Sequence, residues 1–244
     1  MRISRLYTPE RLAPDREVTL DEKTGHYVFR VLKLRAGDPV VLFNGDGSDY
    51  AAELLSNRRD RVELVVSARL PALAESPLAV TLVQAVGKGD RMDLSLQKAT
   101  ELGVTAVRPL FSERTGVRLD GDRLDKRMEH WRRVMISACE QCGRAVVPTL
   151  LEAVGLDDWL ASPARGQRLC LAPGASRALA GIEMSADGYE LVVGPEGGFS
   201  DLEFQCMDRA GVTRMAMGPR VLRTETAGPA ALAVLQALHG DFRG

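Results

Sequence analysis

From residue 78 onward, short apolar runs of strand length alternate with longer segments of helical period, and no other feature restricts the fold as strongly. Residues 78–85 form an apolar strand. Residues 91–102 put Met92, Leu96, Ala99 and Leu102 on one helical face, and Gly103 stands at the usual C-terminal position. A strand over 104–110 follows. Asp122 then caps a long helix whose seam runs through Leu124, Met128, Trp131, Met135, Ala138 and Cys142, four and three apart, which needs a partner, either the sheet or another subunit. Strands at 146–150, 169–172, 191–193 and 213–217, a helical turn at 156–160, and helices over 201–210 and 224–238 complete the pattern. Ser200 and Glu203 make a capping box for the first of those two helices. Pro229 is read as lying in the first turn of the second, where proline is tolerated. The expected fold class is α/β, a largely parallel sheet with helices on both faces.

Residues 1–72 read differently. Val40 to Phe43 leads into Asn44-Gly-Asp-Gly47, residues 50–55 return, and residues 57–60 turn again before Val62 to Val66. Two successive hairpin signals predict a small antiparallel barrel. Before them, residues 21–33 predict a short helix with Tyr27, Val28, Val31 and Leu32 inward. Its outer side carries Arg30 and Lys33, with Arg35 beyond, and with Arg2 and Arg5 these make a candidate local basic patch of the kind that binds phosphates. From charge alone, a solvated face fits as well. The proline-rich stretch 71–77 reads as a linker, dividing the chain into domains 1–72 and 73–244.

A formal net charge of -1 offers no global electrostatic argument for nucleic acid, so any such surface must come from local clusters. The apolar runs fall well short of the ~20 residues that span a membrane, and the first residues lack a signal-peptide core, so a cytoplasmic protein with no membrane association is expected. Cys139 and Cys142 have no second pair at matching spacing, and His26, His130 and His239 are scattered, so no metal is expected and both sulfurs are read as packing on one side of a helix.

Two glycine turns carry the chemistry: Leu191-Val-Val-Gly-Pro-Glu-Gly-Gly-Phe-Ser200 and Met215-Ala-Met-Gly-Pro-Arg-Val-Leu-Arg-Thr-Glu-Thr-Ala227. Neither is a dinucleotide fingerprint or a phosphate loop. What they offer is backbone that a flat ligand can approach closely, at the ends of strands. The first turn, taken alone, also fits a mere tight connection. In the second, Thr224 and Glu225 suit a helix start, but that does not account for Arg220 and Arg223 immediately upstream.

These two strings resemble the C-terminal motifs of the RsmE family, the 16S ribosomal RNA uridine-N3 methyltransferases of the SPOUT superfamily. The resemblance extends through His26 to Leu32, Lys88 to Gly103, Ser112-Glu-Arg114 and Ala138 to Arg144, in order along nearly the whole chain. It implies a PUA-like N-terminal β-barrel for RNA, a C-terminal SPOUT α/β domain with a trefoil knot, S-adenosyl-L-methionine as cofactor, and a homodimer acting on 16S rRNA or the small ribosomal subunit. On that footing Val193, Gly194, Gly197, Met217, Gly218, Val221 and Leu222 are expected to hold the cofactor. Arg220 and Arg223 are expected to meet the uridine, with Glu196 or Glu225 as proton acceptor; the residues themselves do not separate the two. Arg114 and Arg144 are expected to face the same pocket or the RNA. Two alternatives stay open: a SPOUT enzyme acting on another RNA position, and a noncatalytic dimeric RNA-binding protein.

Overall fold

The computed structural model describes residues 3–58, 61–117 and 119–243. The chain forms two compact units, Met1–Glu75 with Ile136–Val147 and Ser76–Met135 with Pro148–Gly244.

In the first unit, β1 (Ser4–Tyr7), β2 (Glu17–Thr19), α1 (Glu22–Tyr27), β3 (Pro39–Phe43), β4 (Asp49–Arg58) and β5 (Arg61–Leu70) follow in sequence. The strands hydrogen-bond in the order β1-β3-β4-β5-β2. Both expected hairpins are present, β3 with β4 and β4 with β5. One pair departs from the expected antiparallel pattern: β1 runs parallel to β3. The long connection between them, which contains β2 and α1, permits this where a tight hairpin could not. Along β5, Val62, Leu64 and Val66 are buried, the period-two pattern of a strand with one face on a core.

The 21–33 helix also differs from its expected phase. Asp21 caps α1, its carboxylate accepting the Lys23 and Thr24 N–H groups at 3.0 Å each. The chain then winds as a π-helix over Val28–Leu32 and stops at Lys33, which has φ +53°. The wider winding displaces the apolar stripe, so Val28 is buried while Tyr27 and Val31 are exposed, Val31 by 62%.

The second unit contains β6 (Val80–Ala85), α2 (Arg91–Glu101), β7 (Ala106–Phe111), α3 (Gly121–Cys142, its last turns belonging to the first unit), β8 (Thr149–Leu150), β9 (Val154–Gly155), α4 (Leu156–Ala161), β10 (Gln167–Leu171), β11 (Tyr189–Val193), α5 (Asp201–Arg209), β12 (Thr213–Met215) and α6 (Thr224–His239). The sheet order is β12-β10-β11-β6-β7-β8, with β9 also on β7, and every pair is parallel. Side chains sort by alternation. Leu82, Leu169, Leu191 and Val193 pack with residues of α2, α3 and α6 such as Leu96, Trp131 and Leu232. Val83, Cys170 and Val192 pack on the opposite face with Leu156 and Trp159 of α4 and Met207 of α5. The α/β class, with helices on both faces of a parallel sheet, is the one expected.

Some expected boundaries shift. Asp122 lies inside the first turn of α3 rather than capping it, and the Asp120 carbonyl accepts the Arg123 and Leu124 N–H groups. The strand expected at 146–150 shrinks to Thr149–Leu150, because 136–147 pack within the first unit. Pro229 is the sixth residue of α6, beyond the first turn, and leaves the Glu225 carbonyl without its i+4 donor. Cys139 is buried and its burial pushes the thiol up to about 12, the behaviour of an inert packing cysteine.

One buried charge pair stands out in the sheet. Arg168 Nε donates to Glu190 Oε2 at 2.8 Å, and its other nitrogens donate to the Trp159, Leu160 and Ser162 carbonyls, tying α4 to β10 and β11. Removing only the arginine strands a buried carboxylate. Arg168→Met should therefore cost about 3–5 kcal/mol in urea unfolding, and adding Glu190→Leu should recover a large part of it. A loss under about 1 kcal/mol for the single change would contradict this reading.

Candidate active site

Three adjacent parallel strands, β12, β10 and β11, end on the same edge of the sheet, and the chain beyond each lines one cavity of about 490 Å³. That is the edge at which open parallel sheets bind ligands. From β11 come Val193, Gly194, Glu196 and Gly197; from the segment after β12 come Met217, Gly218, Arg220, Val221, Leu222 and Arg223; from the start of α6 comes Glu225. Every residue expected to hold the cofactor or to act on the uridine lines this cavity. The third wall was missed: Leu171 ends β10, Ala172 and Pro173 follow it, and Arg91, Phe204 and Thr224 are also part of the lining. The Ala-Pro pair directly after a strand was the available signal for the first of these.

The first glycine turn is packed tightly. A Cβ on Gly194 would come within 3.1 Å of the Phe199 ring, and one on Gly197 within 3.2 Å of Arg114 Cβ. Arg114 is exposed and donates from Nη1 to the Gly197 carbonyl at 3.1 Å. The turn feeds α5 through the expected capping box, in which Ser200 Oγ accepts the Glu203 N–H and Glu203 Oε2 accepts the Ser200 N–H. Glu203 Oε1 also accepts the Glu113 N–H at 2.8 Å, so the Ser112-Glu-Arg114 segment is fastened to the turn at two points.

The two candidate proton acceptors differ in their surroundings. Glu196 Oε1 accepts the Lys88 N–H at 3.0 Å and pairs with Arg91. Burial pushes its carboxyl up, but the Lys88 N–H and the Arg91 guanidinium outweigh burial and hold it below the ordinary carboxylate value. It is a tie for the turn and a poor base. Glu225, in the first turn of α6, has its Oε2 buried with no hydrogen-bond partner.

The second turn is open. Val221 is 78% exposed, Leu222 is half-buried, and Arg220 and Arg223 are exposed cations on the cavity wall. Arg223 is the N-cap of α6 but makes no side-chain cap. Thr224, expected to cap its own helix, instead donates its hydroxyl to the Gly194 carbonyl at 2.7 Å. That bond joins the two glycine turns.

The residues expected to face RNA divide. Arg30, Lys33 and Arg114 are exposed, and Arg2 lies outside the described residues. Arg5 and Arg144 are turned inward. Arg5 pairs with Asp49, donates to the Arg144 carbonyl at 3.1 Å and lies 5.0 Å from the Phe43 ring centroid. Arg144 is 6% exposed, with Glu75 holding its guanidinium at 3.0 Å from Nε. Both cross-link the first unit, and their burial withdraws them from the solvent-facing set. Their charges find carboxylates in the first unit, a pairing that separation in sequence concealed.

A family model for an RNA methyltransferase domain matches residues 74–236, and one for an RNA methyltransferase PUA domain matches 20–67. Ribosomal RNA small subunit methyltransferase E of Buchnera aphidicola is 31% identical over 242 residues, covering 99% of this chain and 98% of that protein. The chain belongs to the ribosomal RNA small subunit methyltransferase E family. Its structure is similar to that of the family member from Neisseria gonorrhoeae bound to S-adenosyl methionine, with a TM-score of 0.94 and 39% identity over 99% of this chain and 100% of the other. It is also similar to a Legionella pneumophila protein solved with bound SAM, with a TM-score of 0.95 and 38% identity over 99% and 100% of the two chains. Family membership makes the chain a ribosomal RNA methyltransferase, with a PUA domain preceding the methyltransferase domain.

The anchoring of Glu196 has a pH signature. Its folded-state value lies below the unfolded one, so its stabilisation of the turn is full above the unfolded value and disappears as pH falls through the folded value. The Lys88 amide resonance should titrate with a midpoint below about 4.5, and Glu196→Gln should abolish that titration. A midpoint at or above 4.5 would contradict the tie.

Proposed function

We propose that this chain transfers the methyl group of S-adenosylmethionine to N3 of a uridine in 16S rRNA. The observation that carries the proposal is that both glycine turns, both arginines and Glu225 line one cavity. The cavity suits the cofactor. Its volume lies in the usual range for small-molecule sites, its glycines let backbone approach a ring, and Val193, Met217, Val221 and Leu222 offer apolar surface to the adenine. The exposed Val221 side chain is the surface such a ring would cover. When bound, the cofactor supplies an electrophilic methyl group on a sulfonium.

The protein's contribution is position and charge. Uridine N3 is an imide nitrogen and a poor nucleophile while protonated. Arg220 and Arg223, placed against the base or its phosphate, favour the deprotonated form and stabilise charge as it develops. Glu225, which lines the cavity and has a carboxylate oxygen without a hydrogen-bond partner, takes the N3 proton. Glu196 is the weaker choice, because Lys88 and Arg91 already occupy it.

Under this reading residues 1–72 grip RNA, with Arg30 and Lys33 as phosphate contacts, residues 73–244 carry the chemistry, and Arg114, bonded to the Gly197 carbonyl, is a further RNA contact. The substrate is 16S rRNA or the small ribosomal subunit, and the working form is a homodimer.

Mass mapping of small-subunit rRNA after incubation with the purified chain and S-adenosylmethionine tests the reaction. A single uridine should gain one methyl group on the base at N3; methylation of a ribose, or none, would overturn the proposal. Arg223→Ala should lower turnover about a hundredfold or more while the cofactor Kd stays near wild type. Glu225→Gln should lower turnover by roughly a hundredfold through loss of the acceptor, again with little change in cofactor affinity. Unchanged turnover in either variant would remove that residue from the mechanism.

A further inference from the structure

Strand β6 is buried at every position, and its last residue but one, Gln84, carries an amide. Gln84 is 1% exposed, lies in register with Val193 of β11, and does not line the cavity. Its hydrogen bonding is directional. Gln84 Oε1 accepts the Ser95 hydroxyl at 2.9 Å, and Nε2 donates to Thr224 Oγ1 at 2.9 Å and to the Ala85 carbonyl at 3.2 Å. Thr224 in turn donates to the Gly194 carbonyl at 2.7 Å. The chain runs from α2 through β6 and the first residue of α6 to the first glycine turn.

The polarity of this chain is set by its acceptors. The Ala85 carbonyl can only accept, so the amide must present nitrogen to it and to Thr224. With its lone pair engaged by Gln84, the Thr224 hydroxyl directs its proton at Gly194. Gly228 makes the approach possible: a Cβ there would lie 3.2 Å from Leu82 Cδ1 and 3.3 Å from Gln84 Oε1. A leucine or methionine at position 84 would serve an apolar strand without polar groups to satisfy, so core packing alone gives no reason for the amide.

We propose that Gln84 is a positioning residue for methyl transfer: through Thr224 it sets the Gly194 turn and the start of α6 at a fixed separation. Arg223 and Glu225 flank Thr224 in sequence, and Gly194 sits on the cofactor wall, so one buried amide holds both halves of the site in register. The proposal rests on the reading of the cavity as a methyl-donor site.

The test compares Gln84→Met, Thr224→Val and Thr224→Ser in the full-length protein. Three quantities are read: S-adenosylmethionine affinity by calorimetry, kcat and KM on small ribosomal subunits, and hydrogen exchange of residues 194–198 without ligand. Gln84→Met should raise the cofactor Kd about tenfold, lower kcat further, leave the KM for RNA within about twofold, and speed exchange at 194–198. Thr224→Val should reproduce this, and Thr224→Ser, which keeps the hydroxyl, should stay near wild type. A melting temperature that falls while Kd, kcat and exchange at 194–198 stay at wild-type values would overturn the proposal. If Gln84→Met does not fold, Thr224→Val against Thr224→Ser decides it alone. If the wild type binds no S-adenosylmethionine, the methyl-donor reading fails, and exchange at 194–198 in the unliganded variants still decides whether the chain of hydrogen bonds holds the turn.

Discussion

A parallel sheet buried on both faces has no free face to offer a ligand. Strands β6 and β11 are buried along their whole length, so chemistry is confined to the loops beyond the strand ends. Parallel strands all release their chains at one edge, and three neighbours do so here within a single cavity. The site follows from this constraint. Its glycines, its arginines and Glu225 are the residues the chain carries as it leaves β11 and β12 and enters α6.

Loops at a sheet edge still have to be held. Two different devices do this. The 194–198 turn is tied from outside, by Lys88 and Arg91 on Glu196, by Arg114 on the Gly197 carbonyl, and by Glu203 reaching Glu113. The segment after β12 is paired at Ala216 with Arg177 and Leu179, leaves Val221 open beyond that point, and meets α6, whose first residue is bonded to Gly194. One wall is tied at several points along the turn, and the other is held at its two ends. This suits a site that must admit a cofactor from solvent and then close a base against it.

The α/β half was readable because its signals are local. A strand buried on both faces is an apolar run, a helix on it shows its period, and Ser200 with Glu203 states a helix start outright. Two walls of the candidate site were legible for a related reason: they lie within a few residues of the ends of β11 and β12, whereas the wall beyond β10 carries no such motif. What escaped depends on partners remote in sequence. Arg5 and Arg144 read as surface cations until Asp49 and Glu75 are seen to hold them. Val31 reads as core until the π-helix displaces it, and no periodicity argument built on 3.6 residues anticipates that. Gln84 reads as the end of an apolar strand until Ser95 and Thr224 close around it.

On the proposed reading, one cavity at the carboxyl ends of β10, β11 and β12 receives S-adenosylmethionine. Hydrogen exchange of the full-length protein, with and without saturating S-adenosylmethionine, locates the bound cofactor. Bound cofactor should slow exchange at 193–199 and 217–227 and leave the strands of the first unit unchanged. Protection confined to the first unit, or none at either turn, would contradict that reading.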